Sequence, residues 1–326
     1  MPQFPSPPPG PEEFEDLSLV AWLPLPGGRA RFRMTPMIII ENDFLTASFL
    51  TKGAEWRSLV EKVHGQEFLW QGDPQFWGKA APVLFPIVGS LKNGSYEYEG
   101  KPYSLPRHGF ARDKEFKVKE QEAWRVVFEL SADDETRKVF PFDWRLEIEY
   151  RLWKRVIHTT YRVVNLGTGD MLFSVGAHPA FNLPFSGEGE FEDGFLDFEQ
   201  TEPLTRWLLN DQGLLSGETR PLPHAGRSLV TTRSLFAEDA LVLKKIKSSR
   251  IALRQRDSGS ALSMEFPGFP YFGVWTAPNA PFLCLEPWCG VADSVTATGK
   301  LEEKEGINRL AAGQTFTRSF AVTVEG

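Results

Sequence analysis

Arg145-Leu146-Glu147-Ile148-Glu149-Tyr150-Arg151-Leu152 alternates apolar and charged side chains without a break. Successive side chains leave a pleated strand on opposite faces, so this period of two marks a strand with one buried and one solvated side. The run from Val156 to Asn165 continues with β-branched and aromatic residues, among them Val156, Thr159, Thr160, Tyr161, Val163 and Val164, which suit a pleated surface. Phe316, Phe320, Val322 and Val324 again mark one face near the C-terminus. Further strands are expected at 38–41, 45–50, 116–119, 125–130, 171–175, 251–255 and 262–266. Turn residues separate them: Asn93-Gly94, Glu99-Gly100, Asn165-Leu166-Gly167 and Asp257-Ser258-Gly259. A helical turn or two is expected only at 133–139. Many short strands without intervening helices imply an all-β fold, a large antiparallel sandwich.

Residues 37–326 show no fixed-period repeat and read as one domain. The first 36 residues differ. Pro2, Pro5, Pro7, Pro8, Pro9, Pro11, Pro24, Pro26 and Pro36 deny this segment a regular hydrogen-bonded element. It is expected to be an extended, loosely attached N-terminal extension, and Met34 or Met37 is a candidate natural start.

The composition narrows the classes of function. A formal charge of −7 on 326 residues argues against a nucleic-acid partner, which calls for a basic face. No apolar stretch approaches the roughly 20 residues of a membrane span. Leu17 to Leu25 is short, contains Pro24 and follows Glu12, Glu13, Glu15 and Asp16, whereas a secretory signal carries basic residues first. Cys284 and Cys289 are the only cysteines and read as reduced core thiols of a cytoplasmic protein. No Cys/His spacing suggests a metal site, and there is no phosphate-cradling glycine loop or Gly-x-Ser-x-Gly elbow.

Three short segments hold titratable groups among small, aromatic and proline residues: Arg107-His108-Gly109-Phe110-Ala111-Arg112, Gly176-Ala177-His178-Pro179-Ala180-Phe181 and Cys284-Leu285-Glu286-Pro287-Trp288. Partial burial and a paired charge move a carboxyl or imidazole pKa towards neutrality, as acid–base chemistry requires. A lone histidine is more often a satisfied core residue. The concurrence of His178, His108 and Glu286 favours a site, since a carboxylate closing an apolar run is costly to bury unless it is paired or functional. Arg107 and Arg112 flank His108 and suit an oxygen-rich or phosphorylated ligand. Trp70, Trp77, Trp275 and Trp288 offer flat walls for a sugar ring. His64 and His224 lie in polar, turn-like surroundings and read as surface residues. His158, inside a strand, reads as a packing or cross-strand residue.

With Phe68-Leu69-Trp70-Gln71-Gly72-Asp73 and Pro82-Val83-Leu84-Phe85-Pro86-Ile87-Val88-Gly89, followed by Gly290, Asp293, Lys304, Gly306 and Leu310, these segments resemble the aldose 1-epimerase (galactose mutarotase-like) superfamily. The LacX-like bacterial subgroup is the nearer match. The resemblance implies a β-supersandwich and a small-molecule partner, a hexose or hexose phosphate, at a site needing no cofactor. It further implies Glu286 as general base, His178 as general acid and His108 as the second histidine near the ring oxygen. Asp239 falls where the family often has an acidic residue on sugar hydroxyls. Arg112 and Trp275 complete the expected substrate contacts. Ser90 departs from the pattern, since similar proteins usually read Val-Gly-Arg where this chain has Val88-Gly89-Ser90. The expected activity is that of a cofactor-independent isomerase interconverting α and β anomers of a hexose. The alternatives are a hexose-6-phosphate 1-epimerase, with Arg112, Lys79 or Lys92 on the phosphate, and a catalytically silent carbohydrate-binding or regulatory sandwich. A glycoside hydrolase ranks third, because it calls for two carboxylates flanking the scissile bond. Oligomeric state is not legible in the chain.

Overall fold

The strands Trp144–Trp153 and Val156–Asn165 pair antiparallel along their full ten residues, Trp144 opposite Asn165 and Trp153 opposite Val156. Trp144, Leu146, Ile148, Tyr150 and Leu152 are buried, as the alternation requires. The charges between them lie on the other face, where Glu147 meets Lys119 at 2.6 Å and Arg145 at 2.9 Å, and Glu149 meets Arg125 at 3.0 Å. His158 stands opposite Arg151 and Ala321, a cross-strand position.

The computed structural model describes residues 37–256 and 258–325. The expectation for residues 1–36 lies outside them. The long hairpin lies inside a nine-stranded sheet that runs from Ser228–Val230 at one edge to Lys117–Glu122 at the other. An eight-stranded sheet stacks on it. Its order is Leu215–Pro221, Thr205–Leu209, Leu241–Lys244, Tyr271–Trp275, Phe282–Cys289, Val175–Ala177 and Val83–Leu84, with Ala180–Asn182 also paired to Phe282–Cys289. The ladders within both sheets are antiparallel, and the architecture is the large β-sandwich expected. Rings from the two layers meet in the core: Phe85 lies 4.9 Å from Trp144 and Phe266 4.4 Å from Phe272, centroid to centroid. Each such fully buried ring is worth about 1.5–3 kcal/mol in transfer free energy.

The α-helix among the described residues is Asp134–Val139, capped by Asp133, whose carboxylate accepts the Thr136 N–H at 2.6 Å. One expectation needs correction. The segment 171–175 is not one strand but two, Met171–Phe173 and Val175–Ala177, in different sheets. Between them the Ser174 N–H leaves the ladder and donates to the Pro86 carbonyl at 2.7 Å. This break aims the chain towards His178.

Candidate functional site

The Phe282–Cys289 strand is buried along its whole length, between neighbours on both sides. Alternation sends Leu283 and Leu285 into the main core. Cys284 and Trp288 belong instead to two smaller clusters, so the face that carries Cys284, Glu286 and Trp288 turns away from that core. The Trp288 ring fits because both adjacent strands carry glycine beside it. A Cβ on Gly176 would lie 2.7 Å from Trp288 Cδ1, and one on Gly273 would lie 2.3 Å from Cζ2. Gly273 is also the cross-strand partner of Glu286.

His178 follows Val175–Ala177 and precedes Ala180–Asn182, two strands that both pair with Phe282–Cys289. Gly176 opposes Trp288 and Ala180 opposes Cys284, so the bend between them brings His178 level with Glu286. His178 Nε2 lies 3.2 Å from Glu286 Oε2, with side-chain exposures of 11% and 1%. The approach lacks hydrogen-bond alignment: Glu286 Oε2 and His178 Nδ1 are both without a hydrogen-bond partner among the described residues. Burial pushes the Glu286 carboxyl well above the usual range, and the Asp239 charge adds to this while Arg107 opposes it. Burial, reinforced by Arg107 and Arg112, lowers the His178 imidazole to about 3. With no ligand bound, the pair's shared proton therefore favours the carboxyl.

His108 adopts a left-handed backbone, φ 68°, uncommon for a residue with a side chain. Two hydrogen bonds to one residue hold it there: His108 N–H donates to the Gly89 carbonyl at 2.9 Å, and Gly89 N–H donates to His108 Nδ1 at 3.2 Å. A neutral imidazole whose Nδ1 accepts must carry its proton on Nε2. Arg107 Nε, 3.3 Å from that Nε2, is then a close neighbour rather than a second donor. Burial, His178 and both arginines hold the His108 imidazole well below its ordinary pKa, so it is neutral. Its ring meets that of His178 edge-on at 5.8 Å.

Asp239 also has a left-handed backbone, φ 67°, and its Oδ2 lies 3.4 Å from Arg107 Nη2. Its influence on Glu286 marks it as part of the same electrostatic neighbourhood. Arg112 donates from Nη2 to the Arg107 carbonyl at 2.7 Å, bracing the loop that carries His108. Ser90 and the Arg107 guanidinium both border the Gly213 turn: a Cβ on Gly213 would lie 3.0 Å from Ser90 Oγ and 3.2 Å from Arg107 Nη1. Lys79 pairs with Asp113 at 3.2 Å and Lys92 donates to the Ala297 carbonyl at 3.0 Å. His64 and His224 lie apart from this cluster, His64 against Glu61 and His224 beside Gly226.

Trp77 and Trp275 flank His178 at ring distances of 5.0 and 5.7 Å, and both pack on Phe282. Trp70 sits a layer behind, its indole N–H donating to the Trp77 carbonyl at 2.9 Å. Two features escaped the sequence. Arg206, buried on Thr205–Leu209, donates to the Leu235 and Glu238 carbonyls at 2.8 and 2.9 Å and so anchors the turn before Asp239; nothing local marks it. Cys284 lies beside the His178–Glu286 pair, with His178, Cys284 and Glu286 ligand atoms all within 4.8 Å of one another. The two-residue spacing from Glu286 on a strand was the available signal.

Stacked antiparallel sheets with a buried His–Glu pair on an aromatic-walled face define a β-supersandwich of the galactose mutarotase-like type. The family model for aldose 1-epimerase matches residues 36–322, and the chain belongs to that family. It is 35% identical to the chromosomal LacX protein of Lactococcus lactis subsp. lactis over 88% of this chain and 99% of that one. A galactose mutarotase related enzyme from Lactobacillus acidophilus superposes with a TM-score of 0.85 at 34% identity, over 89% of this chain and 98% of the other. A galactose mutarotase-like protein from Lactobacillus casei ATCC 334 gives the same TM-score at 31% identity, over 89% and 100%. No helix among the described residues is long and apolar enough to cross a membrane.

Proposed function

We propose that the protein is an aldose 1-epimerase, an isomerase that interconverts the α and β anomers of a hexose by general acid–base ring opening. The observation that carries this reading is the 3.2 Å approach of His178 Nε2 to Glu286 Oε2 in a buried setting. Glu286 as base takes the proton of the anomeric hydroxyl while His178 as acid gives one to the ring oxygen. The bond between the anomeric carbon and the ring oxygen breaks, leaving an aldehyde. Rotation about the bond next to that carbon exposes its other face, and closure runs the same proton transfers backwards. The carboxylate–imidazolium form this needs holds the same number of protons as the carboxyl–imidazole form that burial favours, so a shift within the pair suffices; Arg107 stabilises its carboxylate half and opposes its imidazolium half. Acid–base terms of about 10²–10⁴ each accelerate a reaction that already proceeds spontaneously.

Neutral His108, with its proton on Nε2, is suited to donate a hydrogen bond to a sugar oxygen. Trp77 and Trp275 supply apolar faces, and Asp239 with Arg107 supplies polar contacts for hydroxyls. Arg112 contributes through its charge and through the loop it braces. A hexose 6-phosphate remains the second reading, favoured by the half-exposed Arg107 guanidinium, which holds Asp239 at 3.4 Å. The two buried, unbridged thiols of Cys284 and Cys289 support a cytoplasmic setting. Exchange NMR between anomers, over a panel of free and 6-phosphorylated hexoses, tests both readings. Exchange no faster than in buffer, for every sugar, would leave the silent binding sandwich as the better account.

A further inference from the structure

We infer that His178, Cys284 and Glu286 form a capture site for a divalent cation of the zinc class, occupied in competition with the sugar. The site itself rests on geometry; only the competition rests on the function proposed above.

Three ligand atoms, an imidazole nitrogen, a thiol sulfur and a carboxylate oxygen, lie within 4.8 Å of one another. The Nε2–Oε2 separation is 3.2 Å. Two ligands at about 2.0–2.1 Å from a tetrahedral zinc lie about 3.3 Å apart, so this pair already has the span of two coordination positions. It does not have the alignment of a hydrogen bond, and Glu286 Oε2 is left without a partner although Glu286 is 1% exposed. A buried polar atom in that state carries a desolvation cost that a cation would relieve. Cys284 joins because the strand period of two puts it on the face of Glu286, opposite Ala180. Its sulfur lies within 4.8 Å of both other ligand atoms and closes on a shared ion by a side-chain adjustment.

The donor set selects the ion. One sulfur, one nitrogen and one oxygen with a fourth position open suit zinc, or cobalt as its spectroscopic stand-in. Magnesium and calcium require oxygen-rich shells and are not served. His108 is not a ligand, because its Nδ1 is taken by the Gly89 N–H. Binding is a simple exchange: the thiol and the carboxyl each release a proton, the two anions and the neutral imidazole bind the dication, and nothing is oxidised or reduced. Two features keep the site from being permanently loaded. The Arg107 and Arg112 charges that depress His178 also oppose a cation, and His178 Nδ1 has no second partner to fix the ring. The ion is thus a reversible blocker that ties up both the acid and the base.

The test uses the full chain, freed of metal with a chelator that is then removed. Cobalt(II) added to the wild type should give an intense thiolate-to-cobalt charge-transfer band, displaced by zinc. Cys284→Ala should abolish the band yet keep anomer exchange, and Glu286→Gln should weaken cobalt binding at least tenfold. Zinc should inhibit wild-type exchange, reversibly with chelator, and Cys284→Ala should need at least tenfold more zinc. Absence of the band, or equal zinc sensitivity of wild type and Cys284→Ala, overturns the site. A band in a protein with no anomer exchange upholds the site and overturns the proposed activity instead. Exchange without a band does the reverse.

Discussion

Glu286 and His178 approach to 3.2 Å inside the protein, with the carboxyl raised and the imidazole lowered by the same burial. The pair is therefore a single proton-holding unit and should behave as one when mutated. Glu286→Gln preserves shape and removes the proposed base, and should lower turnover by about 10² or more while sugar binding survives. His178→Asn should do likewise. The double variant should lose less than the product of the two, because removing either partner already disables the unit. Near-normal anomer exchange in Glu286→Gln sinks the mechanism.

The same shifts predict how stability follows pH. Glu286 binds its proton more tightly folded than unfolded, so its contribution is full below the ordinary carboxyl pKa near 4.5 and is lost as pH rises through the raised folded value. Glu286→Gln removes this dependence. In the presence of chelator, its melting temperature relative to wild type should be more favourable at pH 8 than at pH 4. His178 works the other way: with its folded value at about 3, stability is lost as pH falls below the ordinary imidazole range. A pH-independent difference between Glu286→Gln and wild type would show that Glu286 is not held protonated.

How much of this was legible depended on one-dimensional pattern. The Trp144–Trp153 strand alternates because one face meets solvated ion pairs and the other the core, so its class and register were readable. Phe282–Cys289, Tyr271–Trp275 and Leu241–Lys244 lie inside the eight-stranded sheet. Burial on both faces removes the alternation, so they read only as apolar runs or not at all. Glu286 stood out for the related reason that a carboxylate interrupts such a run. Its partner is not legible from spacing, since His178 arrives from more than a hundred residues away, whereas the period of two along Phe282–Cys289 already puts Cys284 on the same face. Arg206 had no signal, because its function is to hold backbone carbonyls whose position only the fold defines.

Arg206 gives a prediction of its own. Its guanidinium bonds the carbonyls of Leu235 and of Glu238, the latter immediately before Asp239, whose left-handed backbone needs support from its surroundings. Arg206→Met leaves those carbonyls unpaired, at a cost of about 1–3 kcal/mol, and lets the turn move. KM should rise several-fold with a smaller change in kcat, and Arg206→Lys should recover part of the loss. Asp239→Asn should give a similar KM effect, and combining it with Arg206→Met should add little. A fall in melting temperature with unchanged KM would reduce Arg206 to a structural brace.

Arg107 and Arg112 should separate in the same assay, although both flank His108. Arg107 is half exposed, faces Asp239 and borders the Gly213 turn, so its guanidinium is available to a ligand. Arg112 is spent on the Arg107 carbonyl and is mostly covered. Arg107→Ala should therefore raise KM more than it lowers kcat, as loss of ground-state binding does. Arg112→Ala should raise KM and also lower kcat, because freeing the Arg107 carbonyl loosens the loop that fixes the His108 tautomer. If the cation reads a phosphate, the Arg107→Ala penalty should be larger for hexose 6-phosphates than for free hexoses, since a bidentate charged contact outweighs one to a hydroxyl. Equal penalties for the two sugar classes would remove the phosphate and leave Arg107 as a tuner of the Glu286 charge.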